Sequence, residues 1–220
     1  MIFIENKRRK RERLLQDYPT ADILDITSTT ETKYAQLLSP FYPHGNIPIP
    51  FSPGFTSKSV EGIWQGLKVF ETCGIDMLSF QNDTMKGLKR SVRKYGKPLG
   101  HQKGINSTEL LNYFDARMQI YLPSYLWVLE NIPEVINIVS RIKNRSEVND
   151  IVFLDYNTNI DFRDTSSPLS HAGLVKLYIE NQYPREGEFY APMTDEEMLA
   201  KKESQKNNKK NKNPKQLKLF

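Results

Sequence analysis

The chain has 220 residues, 38% hydrophobic and 26% charged, which fits one soluble body with polar tails and excludes an apolar run of transmembrane length. Its single cysteine, Cys73, excludes an intramolecular disulfide and a cysteine-based zinc site; the opening residues lack a signal peptide's order, so a cytoplasmic location is expected. The net charge of +5 is concentrated, with residues 7–13 carrying +5 and residues 201–220 carrying +7, which leaves the remainder at −7 and makes direct DNA binding weak at most.

In chain order, residues 1–5 read as a strand. Residues 5–18, ENKRRKRERLLQDY, read as a helix that Pro19 ends. Residues 21–28, ADILDITS, cluster apolar side chains between turn formers and read as a second strand. A stiff Pro- and Gly-rich approach, residues 38–58, then leads to a helix with Ser59 as N-cap that runs on to Glu71. On it, Val60, Ile63, Leu67 and Phe70 make an apolar stripe. Glu61, Trp64, Gln65 and Lys68 make a second stripe beside it, carrying a carboxylate, an indole, an amide and an ammonium. That combination suits a planar, polar ligand.

Residues 85–95 read as a basic helix ended by Gly96, followed by a loop that holds His101. A helix capped by Ser107 or Thr108 should reach Tyr121, a second should run from Pro123 to Asn131, and a third should start at Pro133. Residues 151–156, IVFLDY, form the clearest strand, and the polar loop after it holds Asn157, Asn159 and Asp161. Residues 169–181 read as a helix, with Ser170 and His171 at its start, where free N–H groups suit phosphate. Thr194 and Glu197 form a capping box for a short last helix, and from Lys201 the Lys/Asn composition predicts a disordered tail.

The fold class expected is α+β, a mainly helical domain around a small β-sheet. No phosphate loop, dinucleotide fingerprint or metalloprotease motif is present, and His44, His101 and His171 have no ligand spacing. Neither a metal nor a cofactor is expected. The basic groups Arg90, Lys94 and His101 join the Glu61 stripe, the 157–161 loop and the Ser170–His171 turn as candidates for one nucleotide-like site.

The segments LSPFYP and SVEGIWQGLK resemble the NADAR (NAD- and ADP-ribose-associated) superfamily, whose members open on a Leu-Ser-Asn-Phe-Tyr-Pro-like segment and follow it with a Ser-x-Glu-His-x-Tyr-Gln-x-x-Lys-like helix. Phe41, Tyr42 and Pro43 match the first; Ser59, Glu61, Trp64, Gln65 and Lys68 match the second, with Trp64 in place of tyrosine and Gly62 in place of histidine. The resemblance covers residues 38–182 and divides the chain into a 1–37 extension, that body, a 183–200 helical region and the 201–220 tail. The family's late Asp and Trp-Gly are absent; DYNTNID stands there, with Asp155, Asn157 or Asp161 as the available substitutes. The Asn of its closing motif is also absent, with Ser170 or His171 nearest.

The resemblance implies hydrolysis of an N-glycosidic bond to ribose, on an ADP-ribosyl or riboside-phosphate substrate. Glu61 is then the base or charge stabiliser, favoured as a carboxylate by the helix N-terminus. Asp161 or His101 is left to protonate the departing base, Trp64 to stack, and Lys68 with the Arg90–Lys94 region to hold phosphate. Separately, Gln216-Leu217-Lys218-Leu219-Phe220 resembles the peptide that docks on bacterial sliding clamps, with Gln216, Leu217, Leu219 and Phe220 as its contacts. The alternative is therefore a non-enzymatic clamp-binding adaptor or inhibitor. The two readings differ on whether Glu61, Trp64 and the 157–171 groups line one pocket.

Overall fold

Strand β8 (Ile151–Asp155) is buried at all five positions. In the computed structural model, which describes residues 1–185 and 190–211, β8 is the middle of a three-stranded parallel sheet. β1 (Ile2–Asn6) lies on one side and β2 (Asp22–Asp25) on the other, so both strands from the first 37 residues pair with β8. Alternate β8 side chains serve two cores. Ile151 and Phe153 join the main hydrophobic core; Val152 and Leu154 pack with Leu14 of α1 (Arg11–Asp17). Cover on both faces explains the unbroken apolar run, each large side chain contributing about 2 kcal/mol by burial.

Helix α1 starts later than its pattern predicts. The Asn6 side chain accepts from Arg8 N at 2.9 Å and its carbonyl accepts from Arg9 N at 2.9 Å, forming a turn that competes with helix. Beyond β2 come α2 (Lys33–Gln36) and the small hairpin β3 (Ile47–Pro48) with β4 (Thr56–Ser57). Helix α3 (Val60–Gly66) opens on Ser59, whose Oγ accepts from Gly62 N at 3.0 Å, as the spacing predicts.

The helix does not continue to Glu71. Its last carbonyls are taken by groups from elsewhere: Arg90 donates to Gln65 O, Asp76 N–H to Gly66 O and Gln102 N–H to Leu67 O. Gly66 also lies against Phe80 of α4 (Met77–Phe80), where a Cβ would come within 2.2 Å of the ring. Lys68 and Phe70 therefore leave the helix and enter β5 (Lys68–Phe70).

Only α5 (Val92–Tyr95) of the expected basic helix forms. Met85 and Gly87 have φ of 58° and 70°, and Asn82 closes the turn by donating to Lys86 O at 2.9 Å. The stretch read as a loop after Gly96 is β6 (Pro98–Gln102), which pairs with β5 and with β7 (Leu110–Leu111). The next helix starts at Asn112, whose Oδ1 accepts from Asp115 N at 2.9 Å, rather than at Ser107 or Thr108. It runs through α6 (Tyr113–Ala116), a π turn (Arg117–Tyr121) and α7 (Leu122–Asn131) without a break. Pro123 lies in the first turn of α7, just after the π turn, and has no N–H to give; one residue on, the Ser124 hydroxyl donates to Ile120 O at 2.7 Å.

α8 (Pro133–Val148) precedes β8, and α9 (His171–Ile179) follows it. The last helix, α10 (Asp195–Asn211), opens on the Thr194–Glu197 capping box, with bonds of 2.8 and 3.2 Å. Lys201 lies in mid-helix rather than at the start of an unstructured tail. The clamp-like residues Gln216, Leu217, Leu219 and Phe220 lie outside the described residues. The chain is α+β, with several helices around small sheets. Among the described residues no helix is long and apolar enough to cross a membrane.

Candidate functional site

A cleft of about 630 Å³ opens beyond the carboxyl ends of β2 and β8, the usual position for a ligand in an open parallel sheet. Glu61, Trp64, Gln65 and Lys68 form one wall; Asp155, Asn157 and His171 form another. The end of the parallel sheet, α3 and the start of α9 thus converge on one volume.

Glu61 is 7% exposed, and its Oε1 accepts from Gln65 Nε2 at 2.8 Å. The Gln65 amide is itself oriented, because Arg90 N–H donates to its oxygen at 3.2 Å and leaves the NH₂ facing Glu61. Burial raises the Glu61 pKa above its ordinary value, against the opposing pull of Gln65, Lys68, Lys89 and His171. The expectation that the helix N-terminus dominates is corrected by this desolvation, since the charged form loses more from water's removal than it gains from the short helix. The result is a carboxylate with increased proton affinity.

Trp64 is a half-buried platform. Tyr113 and Tyr121 meet it edge-on at 5.7 and 5.5 Å, and the Lys68 ammonium lies 5.6 Å from its ring centre. Burial lowers the Lys68 pKa, partly offset by Glu61. Lys89 lies 5.9 Å from the Phe41 ring on the same cleft.

Arg117 is a member that the sequence reading did not select. It is 2% exposed, and its guanidinium donates to the carbonyls of Phe162, Asp164 and Ser167 at 3.0, 2.7 and 3.0 Å. These carbonyls satisfy its N–H groups without cancelling its charge, and it has no carboxylate partner among the described residues. Arg117 and Tyr121 bracket the π turn, a distortion that often accompanies function. Nothing in the residue pattern signals that turn.

His171 and Asp155 form a buried ion pair. Nδ1 of His171 lies 3.1 Å from Asp155 Oδ2, and Nε2 donates to Ile26 O at 2.7 Å. Nε2 carries the proton it donates to Ile26 O, and the Asp155 carboxylate beside Nδ1 favours a proton there as well. Burial opposes the charge, but Asp155 overcomes it and raises the His171 pKa. Burial would also raise Asp155, yet His171, Ser170 and the Ala172 N–H hold it at about 2. Ser170 is fully buried, donates to Asp155 at 2.7 Å and caps α9 through Gly173 N at 3.0 Å. Its hydroxyl is thus committed to the sheet end rather than to a ligand.

Other expected site residues lie elsewhere. Arg90 spends its guanidinium on Gln65 O, Lys68 O, Gly74 O and the Cys73 sulfur, so it positions the α3 end and does not face the cleft. Lys94 is exposed on α5, apart from the cleft lining. Asn159 and Asp161 line a neighbouring cleft, which removes Asp161 from the reacting centre proposed for it.

His101 stacks behind Trp64, with ring centres 3.8 Å apart, and is 2% exposed. Neither of its nitrogens has a hydrogen-bond partner. Burial, and then Lys68, push its pKa down to about 3, so it is a neutral spacer rather than a proton donor. His101→Phe keeps the stack and removes two unsatisfied polar atoms, each worth about 1–3 kcal/mol when buried. The expected result in a thermal melt is an unchanged or higher midpoint with ligand affinity retained. A large loss of affinity at full stability contradicts the spacer role.

Residues 6–175 match the family of unknown function DUF6939. The chain belongs to this family. No curated protein matches it. Every residue lining the main cleft lies within the span matched to DUF6939, whereas α10 lies outside it. Among the described residues no group of three His, Cys, Asp or Glu is placed to hold a metal ion.

Proposed function

We propose that the cleft binds an anionic N-riboside, an ADP-ribosyl or riboside-phosphate compound, and hydrolyses its C1′–N bond. One observation carries this reading: a buried carboxylate of raised proton affinity shares a cleft with an aromatic platform and three cations. Lys68, Lys89 and Arg117 face that volume against Glu61, since Asp155 is neutralised by His171. A positive cleft in a body of acidic composition selects an anion. Trp64 supplies a stacking face for the base or ribose.

In this mechanism water attacks C1′ as the C1′–N bond breaks; Glu61 accepts the water's proton and stabilises positive charge at C1′, and the departing base nitrogen keeps the bonding pair and takes its proton from solvent. Its raised proton affinity favours the first task. Gln65 keeps the carboxylate pointed, and Arg90 keeps Gln65 pointed. The adaptor reading requires no such convergence of Glu61, Trp64, Asn157 and His171, and that convergence supports the N-riboside reading over it.

Binding is read by fluorescence. Trp64 and Trp127 are the two tryptophans, so a Trp127→Phe protein reports on Trp64 alone. Titration with ADP-ribose or ribose 5-phosphate is expected to change its emission saturably. No change with either ligand at millimolar concentration, about the weakest affinity of interest, contradicts the reading.

A further inference from the structure

The loop between α4 and α5 reaches the Glu61 cleft, which Met85, Gly87, Leu88 and Lys89 line. Hydrogen bonds fix the loop on both sides. Lys86 N–H donates to Thr84 Oγ1 at 3.2 Å, and Arg90 N–H donates to Gln65 Oε1 at 3.2 Å. Between those two, the N–H groups of Gly87, Leu88 and Lys89 have no acceptor among the described residues.

Gly87 and Lys89 are exposed, so water can satisfy them. Leu88 is 2% exposed, and a buried N–H without an acceptor is rare. The backbone supplies a reason for it. Met85 and Gly87 have φ of 58° and 70°, while Lys86 between them does not share the positive φ. Alternation of left- and right-handed residues gathers successive N–H groups into a concavity that suits an anion. The charges around it agree: Lys68, Lys89 and Arg117 line the cleft against Glu61 and the His171-paired Asp155.

We propose that the N–H groups of Gly87, Leu88 and Lys89 form a backbone cradle for a phosphate group, with the Lys89 ammonium as its counter-charge. Gln65 joins this cradle to the reacting carboxylate, since it accepts from Arg90 N–H and donates to Glu61 at 2.8 Å. The subsite rests on the N-riboside reading for the chemistry beside it. It moves phosphate recognition from the Arg90–Lys94 side chains to the main chain just before them, where no residue type announces it.

The test is a titration of the ¹⁵N-labelled full chain, followed by its amide resonances. Inorganic phosphate and ribose 5-phosphate, each up to millimolar concentration, should move the Gly87, Leu88 and Lys89 amides saturably. Ribose at the same ionic strength, set with sodium chloride, should leave them in place. Lys89→Gln should keep the amide response and weaken phosphate by no more than about fivefold, the scale of an exposed charge pair. Loss of the response in that variant assigns binding to the lysine side chain and overturns the cradle. Wild-type amides that stay in place, while Trp64 emission in the Trp127→Phe protein responds to ribose 5-phosphate, overturn the cradle and leave the N-riboside reading standing. Amides that move with phosphate, while no riboside changes that emission, uphold the cradle and count against the N-riboside reading. No response in either measurement overturns both.

Discussion

Glu61→Gln is expected to lower the rate of N-riboside cleavage by at least about a hundredfold. The thermal midpoint should move by no more than about 2 °C, the equivalent of under 1 kcal/mol in a chain of this size. The amide is isosteric, and its oxygen still accepts from Gln65, as Glu61 Oε1 does at 2.8 Å. What disappears is the negative charge and the capacity to take a proton. The pH dependence follows from the raised Glu61 pKa. The base must be deprotonated, so activity should fall as pH drops through a value above the ordinary 4.5. A variant that keeps full rate on a substrate that the wild type cleaves removes Glu61 from the chemistry. Equal losses of stability and rate assign it to packing instead.

His171→Ala is expected to cost about 3–5 kcal/mol of stability, because it leaves the Asp155 carboxylate buried without its cation. In a melt that is roughly 10 °C. Linkage gives this pair a pH signature. The folded His171 pKa is raised above 6.5, so its contribution is complete below that pH and is lost as pH rises through the folded value. Asp155 is depressed from 3.8 to about 2, so its contribution is present above 3.8 and is lost as pH falls toward 2. Wild-type stability should therefore decline on the alkaline side through the His171 transition, and the variant should lack that limb. A midpoint shift of less than about 2 °C contradicts the ion pair as a structural element.

Legibility of the fold from sequence followed the range of the interactions. The Ser59 cap and the Thr194–Glu197 box are local chemistry, and both were legible within four residues. The apolar run of β8 announced burial on two faces, though not that β1 and β2 would be its partners. The end of α3 was not legible. It depends on Asp76, Arg90 and Gln102 reaching its carbonyls from residues 10 to 35 positions away in sequence. The apolar period ran on through Phe70 because Leu67 and Phe70 are buried in either geometry.

The candidate site divides the same way. Glu61, Trp64, Gln65 and Lys68 were legible because one turn of helix and its exit place them together. Arg117 was not, because its site role depends on three carbonyls about 45–50 positions later in the chain and on a π turn. Arg90 illustrates the opposite error. A basic residue near a candidate phosphate site was read as a ligand group, but the carbonyls at the end of α3 claim it. His101 was found near the site for the wrong reason, since it supports Trp64 from behind.

The most direct measurement is chromatography of an ADP-ribosylated nucleobase and a panel of riboside phosphates after incubation with the full chain. The expected result is free base and the matching sugar phosphate in equal amounts, formed by wild type and reduced at least about a hundredfold by Glu61→Gln. Intact substrates throughout, from a protein whose Trp64 emission shows them bound, would contradict the N-glycosidase assignment.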